Sequence, residues 1–360
     1  MTASHAEQRE IMGGSHAAPP QPRRPGRRSR TILALLWLLL GIAMVAVVGW
    51  LAWTRRDPLL AGSPVTLVVA MVCLVAGVVA VAWSLPTLVT MARGDDRIDH
   101  LTDRQLRFRA RGRILAAVPL LIVGALLVGT LIYIAPLAAS PEAVAAMRSS
   151  GDVRVADRLT WYELQPVRKD KNGRLVPVTT ALVFAPGARV DARAYAPILR
   201  QLAEQGVLVC VLKEPLGLSI IQPKQPAEVV AHHPEITTWA VGGHSLGGAT
   251  ISGYAADHTQ VRGLVLYASY PIGQVRRPGI KVLSLSGSND QLATPTDIEA
   301  AKGDLPDDTT YTVIQGGIHA YFGDYGDQPG DGTPTVGRAA AQRQITAATV
   351  AFVKGLRTAK

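Results

Sequence analysis

The chain has only two cysteines in 360 residues, Cys73 and Cys210, so no disulfide framework can support its fold. Aromatic residues are scarce as well, at 5%, and no basic patch is interleaved with them. The overall charge of +10 is therefore weak grounds for nucleic-acid binding. Its distribution argues further against it. Residues 1–137 hold 15 basic and 7 acidic side chains, a net +8, whereas residues 138–360 hold 22 and 20, a net +2. The basic excess accompanies the apolar part of the chain, where anionic lipid headgroups are the expected partners. Metal-ligand spacing is lacking too. His232 and His233 are adjacent, ahead of Pro234 in an expected surface turn, and Asp324, Asp327 and Asp331 do not follow an EF-hand spacing. No metal and no cofactor are expected.

Long uncharged runs are what the first third of the chain does have. Residues 31–53 carry no charge over 23 positions, enough to cross a hydrocarbon core of about 30 Å at about 1.5 Å per residue. Residues 65–91 and 114–136 are two further candidates, with Pro86 and Pro119 tolerable as kinks or near helix ends. Five arginines, Arg23, Arg24, Arg27, Arg28 and Arg30, sit just before the first run, two separate it from the second, and seven separate the second from the third. The positive-inside rule then puts the N-terminus and the 93–113 segment in the cytoplasm and everything after residue 137 outside. A cleavable signal peptide is the competing reading of the first run, but the run is long for that role and two similar ones follow. Residues 1–30 read as a disordered basic tail, 31–137 as a three-span membrane region, and 138–157 as a linker or short helix.

From residue 158 onward, apolar β-branched runs alternate with helical stretches. Strands are expected near 158–164, 178–185, 207–212, 237–242, 262–267, 280–285 and 310–315, and helices near 192–205, 246–256, 295–302 and 336–357. Such alternation means an α/β fold, a mostly parallel sheet with helices on both faces. Cys210 falls inside one strand and Cys73 inside a membrane run, so neither is placed to pair. Ile345, Val350 and Val353 are the expected packing face of the last helix.

The chemistry centres on Gly243-His244-Ser245-Leu246-Gly247. Flanking glycines permit the strained strand-to-helix turn that exposes a nucleophilic serine, and a strand precedes this one while a small-residue helix follows. A serine hydroxyl needs a base and an orienting acid. Asp290 ends the strand-and-turn Lys281 to Asp290, and His319 follows the strand Thr310 to Ile314, each just past a strand end. Asp324, five residues past His319, is the alternative orienting acid. His244 is expected to point away from the nucleophile and to serve the structure.

Ser245, Asp290 and His319 stand in the chain order of the α/β-hydrolase superfamily. The histidine loop Gly316-Gly317-Ile318-His319-Ala320-Tyr321-Phe322-Gly323-Asp324-Tyr325-Gly326 resembles that of a bacterial branch related to dienelactone hydrolases. The resemblance covers roughly residues 155–358 and implies a hydrolase domain over 158–360. It also implies an oxyanion hole of backbone N–H groups. Leu246 would give one, and Ala188, with Gly187 next, the other, from a loop where Pro186 replaces the superfamily's usual histidine. Asp191 is the expected cap of the helix that follows, with Gly206 its terminator. The short stretch 268–279 leaves no room for a cap domain.

Together these features imply a membrane-anchored serine hydrolase acting on carboxylic esters of small molecules or lipids, with thioesters and amides open to the same residues. The alternative is a catalytically inactive hydrolase fold serving as a binding or scaffold protein at the membrane.

Overall fold

The computed structural model of the chain describes residues 27–93 and 102–357. The tail expected over 1–30 thus lies almost wholly outside the described residues, and its last four positions, 27–30, are helical rather than disordered. Residues 94–101 of the arginine-rich 93–113 segment also lie outside them.

Among the described residues three helices are long and apolar enough to cross a membrane: α1 (Arg27–Thr54), α3 (Pro64–Ala92) and α4 (Asp103–Tyr133), with a short α2 (Arg56–Ala61) between the first two. Pro86 and Pro119 sit inside α3 and α4. α4 starts earlier than the apolar run that marks it and stops at Tyr133, because Pro136 denies the next turn a backbone donor. Leu39, Val68 and Leu126 remain 60–64% exposed, a surface suited to lipid rather than water. Two compact units divide the chain. One contains residues 27–42 and 78–125, and the other contains residues 43–77 and everything from 126 onward.

In the second unit, α5 (Pro141–Ala145) is capped by the Ser140 side chain and leads into the sheet. The sheet's strands are β1 (Val153–Asp157), β2 (Trp161–Pro166), β3 (Thr180–Ala185), β4 (Leu208–Leu212), β5 (Thr238–His244), β6 (Val261–Tyr267), β7 (Lys281–Gly287) and β8 (Thr310–Ile314). They lie in the order β1-β2-β4-β3-β5-β6-β7-β8; β1 and β2 are antiparallel additions and the rest run parallel. β1 lies where a linker was expected, because its sequence, Val-Arg-Val-Ala-Asp, is too short and too polar to signal a strand without its partner β2.

Period-two alternation sorts the strand side chains onto two faces. Leu182 and Phe184 pack with Tyr195, Leu199 and Leu202 from the α6 region and with Ile345 and Val353 from the C-terminal helix. Ala181 and Val183 face the other way, onto Ile251, Tyr254 and Trp239. The helices are α6 (Ala196–Glu204), α7 (Pro226–His232), α8 (Leu246–Asp257), α9 (Pro295–Ala300) and α10 (Arg338–Gly355). Asp191 caps the 3₁₀ turn Ala192–Tyr195 that opens α6, and Gly206 ends that helix with φ +84°. Residues 268–280 contain no helix, consistent with the absence of room for a cap.

His232 closes α7 and His233 is buried, so neither lies in the expected surface turn. His233 bonds Glu235 through Nδ1 at 2.9 Å and Glu163 through Nε2 at 3.3 Å. Glu163 also accepts from Arg158, Trp161 and Gln165. Burial pushes its carboxyl up, but these donors together outweigh burial and hold it at about 2. Glu163, His233 and Cys210 lie close enough together to offer a cation three donors. The carboxylate is already taken up by its four protein partners, and burial keeps Cys210 a thiol.

Candidate active site

The parallel strands β3 to β8 deliver their following loops to one edge, and the candidate residues gather there. Ser245 follows β5 directly. It adopts φ 51°, ψ −126°, a conformation costing a side-chain-bearing residue about 1–3 kcal/mol. Two bonds hold it. Its N–H donates to Tyr267 O at 3.0 Å, and its carbonyl accepts from Ser269 Oγ at 2.7 Å. The approach is closest at Gly247, where any Cβ would collide with the carbonyl oxygens of Ala185 and Pro186. The small residues of the elbow are thus required by backbone, not by side chains that could move.

Asp290 lies just past β7 and is fully buried. Its Oδ1 accepts from the N–H groups of Leu292 and Ala293 at 2.8 and 2.9 Å, and its Oδ2 meets His319 Nδ1 at 2.9 Å. A carboxylate there can only accept, so Nδ1 carries the imidazole proton and Nε2 presents its lone pair. Nε2 is buried with no hydrogen-bond partner among the described residues. Asp290 and His319 are therefore brought together, while Ser245 and His319 form no direct hydrogen bond. The His319 ring packs on His244, the residue preceding Ser245, with ring centroids 4.5 Å apart. Asp324 is engaged through its backbone: its N–H donates to the Ala194 carbonyl and its carbonyl accepts from the Ser140 N–H.

The helix start supplies one free donor, because the Leu246 N–H, first in α8, has no intrahelical acceptor. Ala188 N–H likewise has no partner among the described residues. Gly187 is corrected: its N–H donates to Tyr195 Oη at 2.9 Å and is no longer available to an oxyanion.

Four residues that support this arrangement escaped sequence reasoning. Tyr195 Oη accepts from Gly187 and lies 2.8 Å from His244 Nδ1, locking the buried His244 ring. Burial, followed by the neighbouring His319, pushes His244 well below the ordinary histidine range, so it stays neutral beside the candidate base. Asp331 accepts from the N–H groups of His319 and Ala320 at 3.1 and 2.8 Å, fixing the histidine loop. Arg338 donates to the carbonyls of Ala320 and Gly323 from α10. Glu214, after β4, is buried with one carboxyl oxygen unpartnered, and burial holds it well above the carboxylate range. None has a local signature, since each partner is distant in the chain.

A mainly parallel eight-stranded sheet in this order, with helices on both faces, makes the C-terminal region an α/β-hydrolase fold. Residues 181–344 match the model of the alpha/beta hydrolase family. The chain is also similar to the crystal structure of the esterase domain from a Rhodothermus marinus protein. Identity is 13% and TM-score 0.39, over 56% of this chain and 97% of that one. No curated protein matches the chain.

Proposed function

We propose that the protein is a membrane-anchored serine hydrolase that cleaves carboxylic esters or related acyl bonds through an acyl-enzyme. The carrying observation is the His319–Asp290 bond at 2.9 Å, with Nε2 left free on a ring packed against the residue next to Ser245. His319 Nε2 takes the Ser245 proton as Oγ attacks the carbonyl carbon, and the tetrahedral oxyanion accepts from the N–H groups of Leu246 and Ala188. Nε2 then returns the proton to the departing alkoxide. Water, deprotonated by the same nitrogen, releases the acid and restores Ser245. Asp290 holds the tautomer throughout.

Anchoring rests on α1, α3 and α4. Three spans put the turn between α1 and α3 on the same side as the C-terminal domain. This agrees with Pro58, Leu59 and Ser63 lining one cavity with Pro186 and Leu216. The arginine distribution makes that side extracytoplasmic and the N-terminus cytoplasmic.

Labelling of the full chain in detergent with a fluorophosphonate probe tests this reading. Label and ester turnover are expected in the wild type and lost in Ser245→Ala. A folded wild-type chain that neither labels nor turns over esters would favour the binding-protein alternative.

A further inference from the structure

The proposed esterase leaves its substrate class open, and the membrane tether bears on it directly. α4 ends at Tyr133, and the next residues do not wander: Leu137 exchanges backbone hydrogen bonds with Arg189 and Asp191, its N–H donating at 2.7 Å and its carbonyl accepting at 2.9 Å. Two residues on, Ala139 bridges Tyr325, and Ser140 N–H donates to Asp324 O. The tether therefore pairs with both the oxyanion loop after β3 and the histidine loop after β8. Four residues reach at most about 14 Å when extended, so Leu137, which pairs with the oxyanion loop, lies no farther than that from the end of the apolar helix.

The same edge is apolar where it meets solvent. Ile220 and Ile221 follow β4, Tyr270 and Ile272 follow β6, and Leu292 follows β7, each at least 37% exposed. Leu159, 72% exposed, joins them, because the β1–β2 turn lies at this edge: Trp161 of β2 pairs with Leu212, the last residue of β4. The opposite edge carries Arg262, Lys281, Asp307 and Asp308 at or just before its strand starts, with Leu175 and Val176 as its exposed apolar residues in the β2–β3 connection. Exposed apolar side chains on separate loops, gathered on one edge, mark a contact surface rather than incidental exposure. The cavity shared by Pro58, Leu59, Pro186 and Leu216 lies beside this edge and is also lined by the buried Glu214.

We propose that the catalytic edge lies against the bilayer surface and that the substrate is an acyl ester of a membrane-resident lipid, entering from the interface over this apolar rim. The assignment rests on the esterase reading above. The occupant is a lipid surface because the chain itself holds this edge within reach of the span's end, and an apolar rim so placed buries its side chains among headgroups and upper acyl carbons.

The test uses the full chain in detergent micelles with two substrates, dioleoylglycerol and p-nitrophenyl butyrate. Bulk dioleoylglycerol is held constant while its mole fraction in the micelle is lowered with added detergent. Oleate release should fall with mole fraction, and the double variant Leu159→Glu, Ile272→Glu should lower the ratio of oleate release to butyrate release about tenfold or more. Butyrate release by the variant also reports that it is folded. Ser245-dependent butyrate release without oleate release at any mole fraction, or a rim variant with an unchanged ratio, would overturn the lipid assignment and leave the esterase standing. A wild type that releases neither acid and takes no fluorophosphonate label would remove the esterase reading and this one with it.

Discussion

Asp290→Asn removes one charge without changing shape, and the surrounding bonds determine which way the new amide turns. In one orientation its oxygen keeps the place of Oδ1 and continues to accept from Leu292 and Ala293 N–H, with the amide NH₂ facing His319 Nδ1. In the other, NH₂ meets two backbone N–H groups that cannot change tautomer, leaving buried donors unsatisfied at about 1–3 kcal/mol each. The first orientation wins, because imidazole can move its proton and a peptide cannot. Nδ1 then becomes the acceptor and Nε2 carries the proton, so the nitrogen meant to receive the serine proton is occupied. A rate loss of about 10⁴ in kcat is expected, roughly 5.4 kcal/mol of transition-state stabilisation. Initial rates on a soluble ester, with a thermal melt of the same preparation, measure it. A melt within a few degrees of wild type and a rate within tenfold would refute Asp290 as the orienting acid. Asp324→Asn is the control: with Asp290 as the orienting acid it is expected to keep near-wild-type rates.

Asp331→Ala frees the N–H groups of His319 and Ala320. It should lower kcat and cost about 1–3 kcal/mol of stability, read by ester turnover and denaturant midpoint. Gly247→Val forces a side chain onto the Ala185 and Pro186 carbonyls and should destabilise by about 3 kcal/mol, seen as a lowered melting temperature together with lost fluorophosphonate labelling. Glu163 is depressed from 4.5 to about 2 in the fold, so its contribution is complete above pH 4.5 and is lost as pH falls towards 2. His233, raised above 6.5 chiefly by its bond to Glu163, contributes fully below 6.5 and loses its share as pH rises through its folded value. Melting temperature against pH should therefore fall off on both sides for wild type, and Glu163→Gln should flatten the acid limb.

Local pattern was enough for what local pattern determines. The alternation from β2 to β8 and the caps Asp191 and Gly206 follow from a few neighbouring residues. The elbow and the edge positions of Asp290 and His319 were likewise legible, because each lies immediately after an apolar strand. What was not legible depends on partners far along the chain. Val153–Asp157 becomes a strand only because Trp161–Pro166 lies beside it. His233 reads as a turn residue until Glu163, 70 positions earlier, takes its Nε2. Gly187 had the right place for an oxyanion donor, and only the fold reveals that Tyr195 has claimed its N–H.

The distribution of strain leads to the same edge. Among the described residues four that bear side chains have positive φ: Arg189, Leu216, Ser245 and Ala268, and they follow β3, β4, β5 and β6 in turn. Conformations costing about 1–3 kcal/mol each persist only where the surroundings over-determine them. Here the determinants are neighbours in one network. Arg189 N–H donates to Gly217 O beside Leu216, Ser245 N–H donates to Tyr267 O beside Ala268, and the Arg189 carbonyl accepts from Leu137 of the tether. The segment through Leu137 is thus part of what holds the loop after β3 in its strained form. If so, cutting the backbone between Tyr133 and Leu137 with an inserted protease site should lower ester turnover even while the cleaved domain stays folded, whereas a tether that merely anchors would leave the rate on a soluble ester unchanged.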